Sequence, residues 1–265
     1  MSHQKDRNIQ RPKKRSRIIS PIVKKRPYTA FPGIYDLVMI GARYSLWAQV
    51  ALEAYQMAGK LGFPPRILDL GCGTCRLWKE LPPESELWGI DFSPEMLEVA
   101  AQNGIRGNRI CADLLNLPKF SEPFDLVICT HDTLNYILSP TELQGVLSSV
   151  AKLLSPDGVF FFDASTARNF KSNFEGRTME EKHGKTRLIW ENEGTEDSSI
   201  LKTTLLFENG KETFEEVHLH RAYDIHTWKQ LIRDSGLELM AAGSDYESWE
   251  VSPEADYFVF VCKRA

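Results

Sequence analysis

Hydrophobic and polar positions follow two alternating patterns along the middle of the chain. Short apolar runs predict buried strands, and amphipathic segments with a repeat of three to four residues predict helices between them. The predicted strands are 66–70, 86–90, 108–112, 124–129 and 158–163, and the predicted helices are 75–81, 94–103 and 141–154. Strands that alternate with helices predict a parallel sheet covered on both faces.

The pattern changes on both sides of this region. Before it, apolar residues at helical spacing predict a helical segment within 32–61, which Gly62, Pro64 and Pro65 then end. After Asp163 come an irregular polar stretch, 165–184, and three predicted strands at 186–192, 199–207 and 213–221. Asn209-Gly210 predicts a hairpin between the last two strands. A helix at 224–234 and strands at 237–242 and 257–262 then resume the α/β pattern.

These changes divide the chain into four segments. Residues 1–28 are predicted to form a disordered basic tail, and residues 29–164 form the first part of an α/β domain with a helical lid. Residues 165–223 form an antiparallel insert, and residues 224–265 complete the domain. With the last two strands, the main sheet has seven strands.

Composition and charge exclude several classes of protein. With 42% hydrophobic and 26% charged residues, the chain is neither collagen-like nor wholly disordered. It has no apolar run long enough for a spanning helix and no apolar core of a secretory signal, and its five scattered cysteines favour a reducing compartment. Residues 1–28 hold ten Lys or Arg and one acid, a net charge of +9. The remainder holds 22 Lys or Arg and 35 Asp or Glu, a net charge of −13. An acidic body is unlike a uniform nucleic-acid binder.

Three acidic residues lie at successive strand ends. Asp69 precedes the turn Gly71-Cys72-Gly73, Asp91 ends the next strand, and Asp113 follows the third. Glycines allow the backbone to approach a ligand closely, and ligands bind beyond the carboxyl ends of such sheets. An acid in the position of Asp91 is suited to accept hydrogen bonds from both hydroxyls of a ribose.

The segment Asp69-Leu70-Gly71-Cys72-Gly73-Thr74, together with Asp91 and Asp113, resembles the class I S-adenosylmethionine-dependent methyltransferases. With the strand pattern, this resemblance implies a Rossmann-like doubly wound seven-stranded sheet and a small antiparallel β insert. It covers about residues 33–265. It implies that the glycine turn holds the amino-acid part of the cofactor, that Asp91 binds the ribose and that Asp113 reaches the adenine amine.

S-adenosylmethionine is therefore the expected cofactor, and no metal is expected. The residues predicted to bind the cofactor are Tyr35, Asp69, Gly71, Cys72, Gly73, Asp91, Phe92, Met96, Asp113, Leu114 and Thr130. Cys72 and Cys75 form a C-x-x-C, but without a second cysteine pair we interpret Cys72 as a small packing residue.

The fourth strand end, which lines the acceptor side in this family, reads Thr130-His131-Asp132-Thr133-Leu134-Asn135-Tyr136. It contains neither Asn/Asp-Pro-Pro-Tyr/Phe, typical of base and amide methylation, nor the Pro-Cys of cytosine-C5 enzymes. Its Asp-Thr-Leu-Asn-Tyr resembles a subgroup with an antiparallel insert that acts mostly on small molecules, often at amines. His218-Leu219-His220-Arg221-Ala222-Tyr223 at the exit of the insert supports this resemblance.

Three residues are candidates for catalysis: His131, Tyr136 and His218. Strand alternation places His218 and His220 on one face and Arg221 on the other. Each of these histidines is equally well explained as a packing or solvated residue. The candidates for substrate binding are Asn135, Arg221 and Tyr223.

The expected function is S-adenosylmethionine-dependent methylation of a small molecule or a peptide end, with N-methylation favoured over O-methylation. The alternatives are an RNA methyltransferase that uses the basic tail and a regulatory protein that binds the cofactor without catalysis. The expected location is the cytoplasm, or the nucleus if the organism is a eukaryote, with no membrane partner. The sequence leaves open the oligomeric state and whether a general base is used.

Overall fold

The computed structural model describes residues 21–59 and 65–265. Its strands are β1 (Ile22–Lys25), β2 (Arg66–Leu70), β3 (Glu86–Asp91), β4 (Asn108–Cys111), β5 (Phe124–Cys129), β6 (Leu154–Ser165), β7 (Thr178–His183), β8 (Thr186–Gly194), β9 (Ile200–Glu208), β10 (Thr213–Arg221), β11 (Leu237–Ser244) and β12 (Tyr257–Arg264). Its helices are α1 (Pro32–Val38), α2 (Tyr44–Met57), α3 (Pro94–Gln102), α4 (Pro140–Leu153), α5 (Ala167–Asn169) and α6 (Ile225–Asp234).

The larger sheet confirms the predicted seven-stranded α/β fold. Its strand order is β11-β12-β6-β5-β2-β3-β4, with parallel pairing from β6 to β4. Only β12 runs antiparallel to its neighbours. One face packs on α4 and α6 around Leu147 and Trp228, and the other packs on α2 around Ala51 and Trp78. Helices on both faces explain why the central strands are apolar along their whole length.

Helices α3 and α6 begin where a serine and an aspartate satisfy free backbone amides. Ser93 accepts from the amide of Met96, and Asp224 accepts from the amide of Thr227. The predicted helix at 75–81 is instead a 3-10 turn, Arg76–Glu80, because Pro82 holds Leu81 in an extended conformation. The proposed end of the lid helix at Gly62 and Pro64 lies outside the described residues.

The smaller sheet, here called the cap sheet, has the order β1-β10-β9-β8-β7. Three of its strands were predicted, and Asn209-Gly210 does join β9 to β10, through four residues in which the Asn209 side chain accepts from the amides of Lys211 and Glu212. β7 was predicted to be irregular. It is a polar edge strand with only Met179 buried, so it carries little hydrophobic alternation.

The structure corrects the boundary of the basic tail. Residues 22–25 form β1, which pairs in parallel with residues 213–216 of β10. Lys24 lies 3.9 Å from the carboxylate of Glu215, and Lys25 lies over the ring of Phe214. A short edge strand whose charges are paired with an acidic neighbour shows no periodicity of its own, which is why the sequence pattern missed it. Residues 1–20 of the predicted tail lie outside the described residues.

In the described part of the chain, no helix is long and apolar enough to cross a membrane.

Candidate active site

A cavity of about 450 Å³ lies at the carboxyl ends of β2 to β5 and beneath the N-terminal segment. This volume is within the usual range for a small-molecule site. All eleven residues predicted to bind the cofactor line this cavity: Tyr35, Asp69, Gly71, Cys72, Gly73, Asp91, Phe92, Met96, Asp113, Leu114 and Thr130. Two of the predicted catalytic residues, His131 and Tyr136, line it as well.

The glycine turn combines an unusual backbone conformation with open space. Gly71 has φ +71°, and a Cβ there would lie 2.5 Å from the Thr133 side chain. Gly73 has φ +52°, and a Cβ there would meet nothing within 4 Å. Since both glycines line the cavity, the turn leaves bare backbone facing a space large enough for part of a ligand.

Asp91 and Asp69 are buried carboxylic acids at the base of the cavity. Asp91 accepts one hydrogen bond on each oxygen, from the amides of Gly73 at 2.8 Å and Ser93 at 2.9 Å. Burial raises the pKa of Asp91, and each oxygen keeps a lone pair that could accept from a ligand hydroxyl. Burial also raises the pKa of Asp69 to about 7, although the indole N–H of Trp78 donates to it at 2.8 Å.

The opposite end of the cavity offers a polar atom beside apolar surfaces. Asp113 is exposed, and its side chain accepts from the amide of Leu115. Phe92 and Leu115 are 46% and 44% exposed and line the cavity next to buried Met96. Exposed apolar side chains around one acidic group suit a planar ring that carries an amine.

At the end of β5 the chain makes a strained turn. His131 and Asp132 both adopt left-handed φ angles, 60° and 50°, which cost energy for residues other than glycine. Their amides donate to the carboxylate of Asp163 at 2.8 and 2.7 Å, and these bonds hold the turn. The ring of His131 stacks on Trp47 with centroids 5.2 Å apart. Burial lowers the pKa of His131 to about 4, so this ring is neutral at pH 7.

A row of hydrogen bonds runs from the cavity wall into the cap sheet. The Tyr28 and Tyr136 hydroxyls are 2.7 Å apart, and the Tyr136 hydroxyl lies 2.8 Å from Nδ1 of His218. Nε2 of His218 lies 3.2 Å from Oε2 of Glu216. Tyr28 and Tyr136 line the cavity, whereas His218 and Glu216 are buried behind them. His218, predicted to be catalytic, is therefore placed behind the wall rather than on it.

The sequence analysis missed two members of this row. Tyr28 falls inside the predicted tail, where no pattern distinguishes it. Glu216 lies two residues before His218, so strand alternation already places both side chains on one face. That spacing was the available signal for Glu216.

The structure does not bring the three predicted substrate-binding residues into the cavity. The Asn135 side chain donates to the carbonyls of Ser165 and Arg221, and its oxygen accepts from the amide of Ser165. The Tyr223 hydroxyl donates to the carbonyl of Ile137, and the Arg221 guanidinium pairs with Asp197 at 2.7 Å. Their side chains are used to join the cap sheet and the loop after β5, or to pair within the cap sheet. We therefore correct their assignment to a structural role.

The cavity wall is acidic. Its charged residues are the acids Asp69, Asp91, Asp113 and Glu142 and the single cation Arg76, counted over the described residues that line it. Arg76 itself lies 3.9 Å from the carboxylate of Asp36 in α1. Asp36 also accepts from the Thr74 hydroxyl at 2.7 Å and so ties the lid helix to the glycine turn. In the described part of the chain, no group of His, Cys, Asp and Glu side chains is arranged to hold a metal ion.

Comparison with known proteins agrees with this geometry. Residues 67–158 match the family described as a methyltransferase domain. The chain is 26% identical over 246 residues to the putative methyltransferase YqeM of Bacillus subtilis (strain 168), covering 90% of this chain and 97% of that protein.

Solved structures extend the similarity to the whole fold. A crystal structure of an S-adenosylmethionine-dependent methyltransferase from Clostridium acetobutylicum ATCC 824 matches with a TM-score of 0.77 and 25% identity, over 90% of this chain and 99% of that one. The sugar N-methyltransferase KedS8 from Streptoalloteichus sp ATCC 53650 has the same fold, with a TM-score of 0.63 and 19% identity over 87% and 93% of the two chains. The motif, the fold and these relatives identify the chain as an S-adenosylmethionine-dependent methyltransferase with a Rossmann-like fold, similar to the class I enzymes.

Proposed function

We propose that this methyltransferase N-methylates a small molecule that carries an amine. The observation that supports this proposal best is the composition of the cavity wall, where aromatic rings and a neutral histidine line the acceptor side and the only cation is Arg76 among the described residues that line it. Such a wall attracts a cationic amine and repels a polyanion. It therefore disfavours RNA, whose recognition requires a positive track along the phosphates.

The cofactor half of the cavity fits S-adenosylmethionine, which supplies a methyl group on an activated sulfonium when it is bound. We assign the amino-acid part to the open turn at Gly71 and Gly73, and the ribose hydroxyls to the free lone pairs of Asp91. Asp113 is assigned to the adenine amine, with Phe92 and Met96 against the adenine ring. These assignments are supported by the open space at Gly73 and by the remaining acceptor capacity of Asp91.

The remaining wall, with Trp47, His131 and Tyr136, is then available to the acceptor. Its histidine is neutral at pH 7, because burial lowers the pKa of His131 to about 4. Aromatic rings beside uncharged polar atoms favour an amine over an anionic acceptor, since rings attract cations at their faces. The protein's contribution is then to align two bound reactants in a pocket that excludes water.

Relatives offer further support. One relative is the dTDP-4-amino-2,3,4,6-tetradeoxy-D-glucose N,N-dimethyltransferase of Saccharopolyspora spinosa, 29% identical over 48% of this chain. The neighbours of known structure include KedS8 and an amino pentose methyltransferase, CalS10 of Micromonospora echinaspora. An aminosugar is therefore a reasonable first acceptor to test.

The test is a transfer assay with tritiated S-adenosylmethionine and paired acceptors. The panel holds nucleotide-linked 4-aminosugars, small primary and secondary amines, the same molecules with hydroxyl in place of amine, a peptide with a free N-terminus, and transfer RNA. We expect label on a small amine and none on its hydroxyl partner. Labelling of the hydroxyl partner would contradict N-selectivity, and labelling of RNA or of the peptide alone would contradict a small-molecule acceptor.

A further inference from the structure

The hydrogen bonds of Glu216 determine the direction of the whole row from the cap sheet to the cavity. Its carboxylate is fully buried and accepts from the backbone amides of Tyr28, Thr29, Ala30 and Phe31, in addition to the contact with His218. Although burial by itself would raise the pKa of Glu216, hydrogen bonds from His218 and these amides hold it below its usual value. Glu216 is therefore an ionised group that only accepts.

An accepting Glu216 fixes the proton positions on its neighbours. Nε2 of His218 must donate to Oε2 of Glu216, so in the neutral ring Nδ1 is the acceptor. The Tyr136 hydroxyl then donates to Nδ1, and the Tyr28 hydroxyl donates to the oxygen of Tyr136. The row therefore ends at the oxygen of Tyr28, which has donated its proton inward and presents lone pairs at the cavity wall.

The backbone at Tyr28 adopts an energetically costly conformation that places its side chain at the cavity wall. Tyr28 has φ 58°, a left-handed conformation that is costly for a tyrosine, and its amide donates to Glu216 at 2.8 Å. Its carbonyl accepts from the Ser93 hydroxyl at 2.7 Å, beside the cofactor half of the cavity. One buried carboxylate thus both holds the segment 28–31 over the cavity and orients the histidine behind it.

We propose that Tyr28, Tyr136, His218 and Glu216 form a proton relay that accepts the proton of the methyl acceptor. This inference rests on the proposed function, because it requires an acceptor that binds with an N–H bond. The acceptor N–H bond breaks as an O–H bond forms on Tyr28, the Tyr28 proton moves to Tyr136, and the Tyr136 proton moves to Nδ1 of His218. The product is an imidazolium paired with the Glu216 carboxylate, with both tyrosines again neutral.

In this arrangement Tyr28 touches the substrate, and His218 and Glu216 are positioning residues. Burial raises the pKa values of Tyr28 and Tyr136 well above the usual value, so neither tyrosine keeps a negative charge. Four further titratable groups lie near the row. His220 packs on Tyr136 with ring centroids 4.1 Å apart, and Tyr35 lies edge-on to Tyr28 at 6.3 Å. Asp132 is close enough to influence both tyrosines, and Asp91, assigned to the ribose, influences Tyr28. Asp132 is therefore the competing proton acceptor.

The first test is the tautomer of His218, read from ¹⁵N-histidine NMR spectra and assigned by its loss in His218→Asn. We expect the wild type to show Nε2–H with an unprotonated Nδ1. In Glu216→Gln, the new amide group donates to Nε2 and should reverse the tautomer to Nδ1–H. Glu215→Gln, one position earlier on β10 and paired with Lys24, is the matched control and should leave the tautomer unchanged. A wild-type Nδ1–H tautomer or imidazolium would overturn the relay.

The second test measures binding without an acceptor. Sinefungin carries C–NH3⁺ where S-adenosylmethionine carries S⁺–CH3, and S-adenosylhomocysteine carries nothing there, so the ratio of their affinities reports on the group that faces the transferred methyl. Tyr136→Phe breaks the row without touching Glu216. We expect it to lower the preference for sinefungin by up to roughly tenfold, because the Tyr28 hydroxyl then has no acceptor on the inner side and is free to turn its proton toward the cavity.

Tyr223→Phe removes another buried tyrosine hydroxyl bond, to the carbonyl of Ile137, from a side chain that does not line the cavity, and is the matched control for Tyr136→Phe. An unchanged ratio in Tyr136→Phe, or a fall in Asp132→Asn instead, would overturn the relay and leave the proposed function intact. If the wild type binds neither sinefungin nor S-adenosylhomocysteine, the assignment of the cofactor site is wrong, and the relay is contradicted as well. Transfer to a hydroxyl or to RNA in the labelling assay would instead contradict the proposed function alone.

Discussion

Single residues at the glycine turn provide a test of the cofactor site that separates strain from lost space. Gly73 and Gly104 have similar backbone angles, φ +52° and +65°, and a Cβ at either position would meet nothing within 4 Å. Only Gly73 lines the cavity. The two positions therefore carry the same conformational cost and differ in what lies in front of them.

Gly73→Ala should weaken binding of S-adenosylmethionine at least tenfold, because the new methyl group occupies space assigned to the cofactor. Both Gly73→Ala and Gly104→Ala should lose about 1–2 kcal/mol of stability, the cost of a left-handed alanine. Isothermal calorimetry and thermal unfolding of the two variants measure these effects. Equal cofactor affinity in both variants would show that the glycine turn does not bind the cofactor.

Asp69 should make the protein less stable as the pH rises. Burial raises the folded-state pKa of Asp69 from 3.8 to about 7, so the folded protein holds a proton that the unfolded chain has released. The stabilisation is complete below pH 4 and is lost between about pH 4 and 7. Asp69→Asn keeps an acceptor for Trp78 and should be more stable than the wild type at pH 8 by about 1–4 kcal/mol. Urea unfolding at pH 5 and pH 8 measures the difference in the free energy of unfolding between Asp69→Asn and the wild type. This difference should be smaller at pH 5, and an equal difference at both pH values would contradict the raised pKa of Asp69.

At the scale of elements, the N-terminal strand shows how a segment without a hydrophobic pattern becomes part of a site. β1 pairs with β10, and the next few residues donate four backbone hydrogen bonds to Glu216. The segment thus links the cap sheet to the cavity wall. Removal of this segment should therefore affect both the cap sheet and the cavity wall.

Two truncations separate this segment from the residues before it. Deletion of residues 1–28 removes β1 and Tyr28, whereas deletion of residues 1–20 retains them. We expect the longer deletion to be less stable than the shorter one by about 2–4 kcal/mol, since it removes the backbone hydrogen bonds between β1 and β10 and one of the four amide donors to Glu216. Chemical denaturation of the two proteins measures the difference, and equal stability would show that the pairing of β1 contributes nothing.

At the scale of the whole molecule, cofactor binding should stabilise one side of the structure. The lid helix α1 is tied to the glycine turn through Asp36 and Thr74, whereas β11 lies at one edge of the main sheet, beyond β12 and β6. A ligand in the cavity therefore acts on the lid and the turn first.

S-adenosylmethionine at a hundred times its Kd should stabilise the protein by about 2.7 kcal/mol. Hydrogen exchange should slow in α1 and in residues 71–75 and stay unchanged in β11. Differential scanning calorimetry and exchange mass spectrometry measure the two effects, with Gly73→Ala at the same ligand concentration as the control, which should gain no more than about 1.4 kcal/mol if its affinity is tenfold lower. Uniform protection of both sheets would contradict a local action on the lid.

Sequence patterns are sufficient to predict the main sheet and the residues that line the cofactor half of the cavity. Buried parallel strands are continuous apolar runs, and the residues at their carboxyl ends must meet at one edge, so Asp69, Asp91 and Asp113 were identifiable together. The glycine motif made the family recognisable. These features are local in sequence, or depend on a periodicity that sequence preserves.

The residues of the acceptor half could not be predicted in the same way, because long-range contacts bring them together. Tyr28 reaches the cavity because β1 pairs with a strand almost 190 residues away, and nothing near Tyr28 in sequence indicates this. Asn135 and Tyr223 have the chemistry to bind a substrate, but the packing of the cap sheet uses their polar atoms for backbone hydrogen bonds. The role of a polar side chain depends on which groups it contacts in the folded protein, and long-range packing determines those contacts.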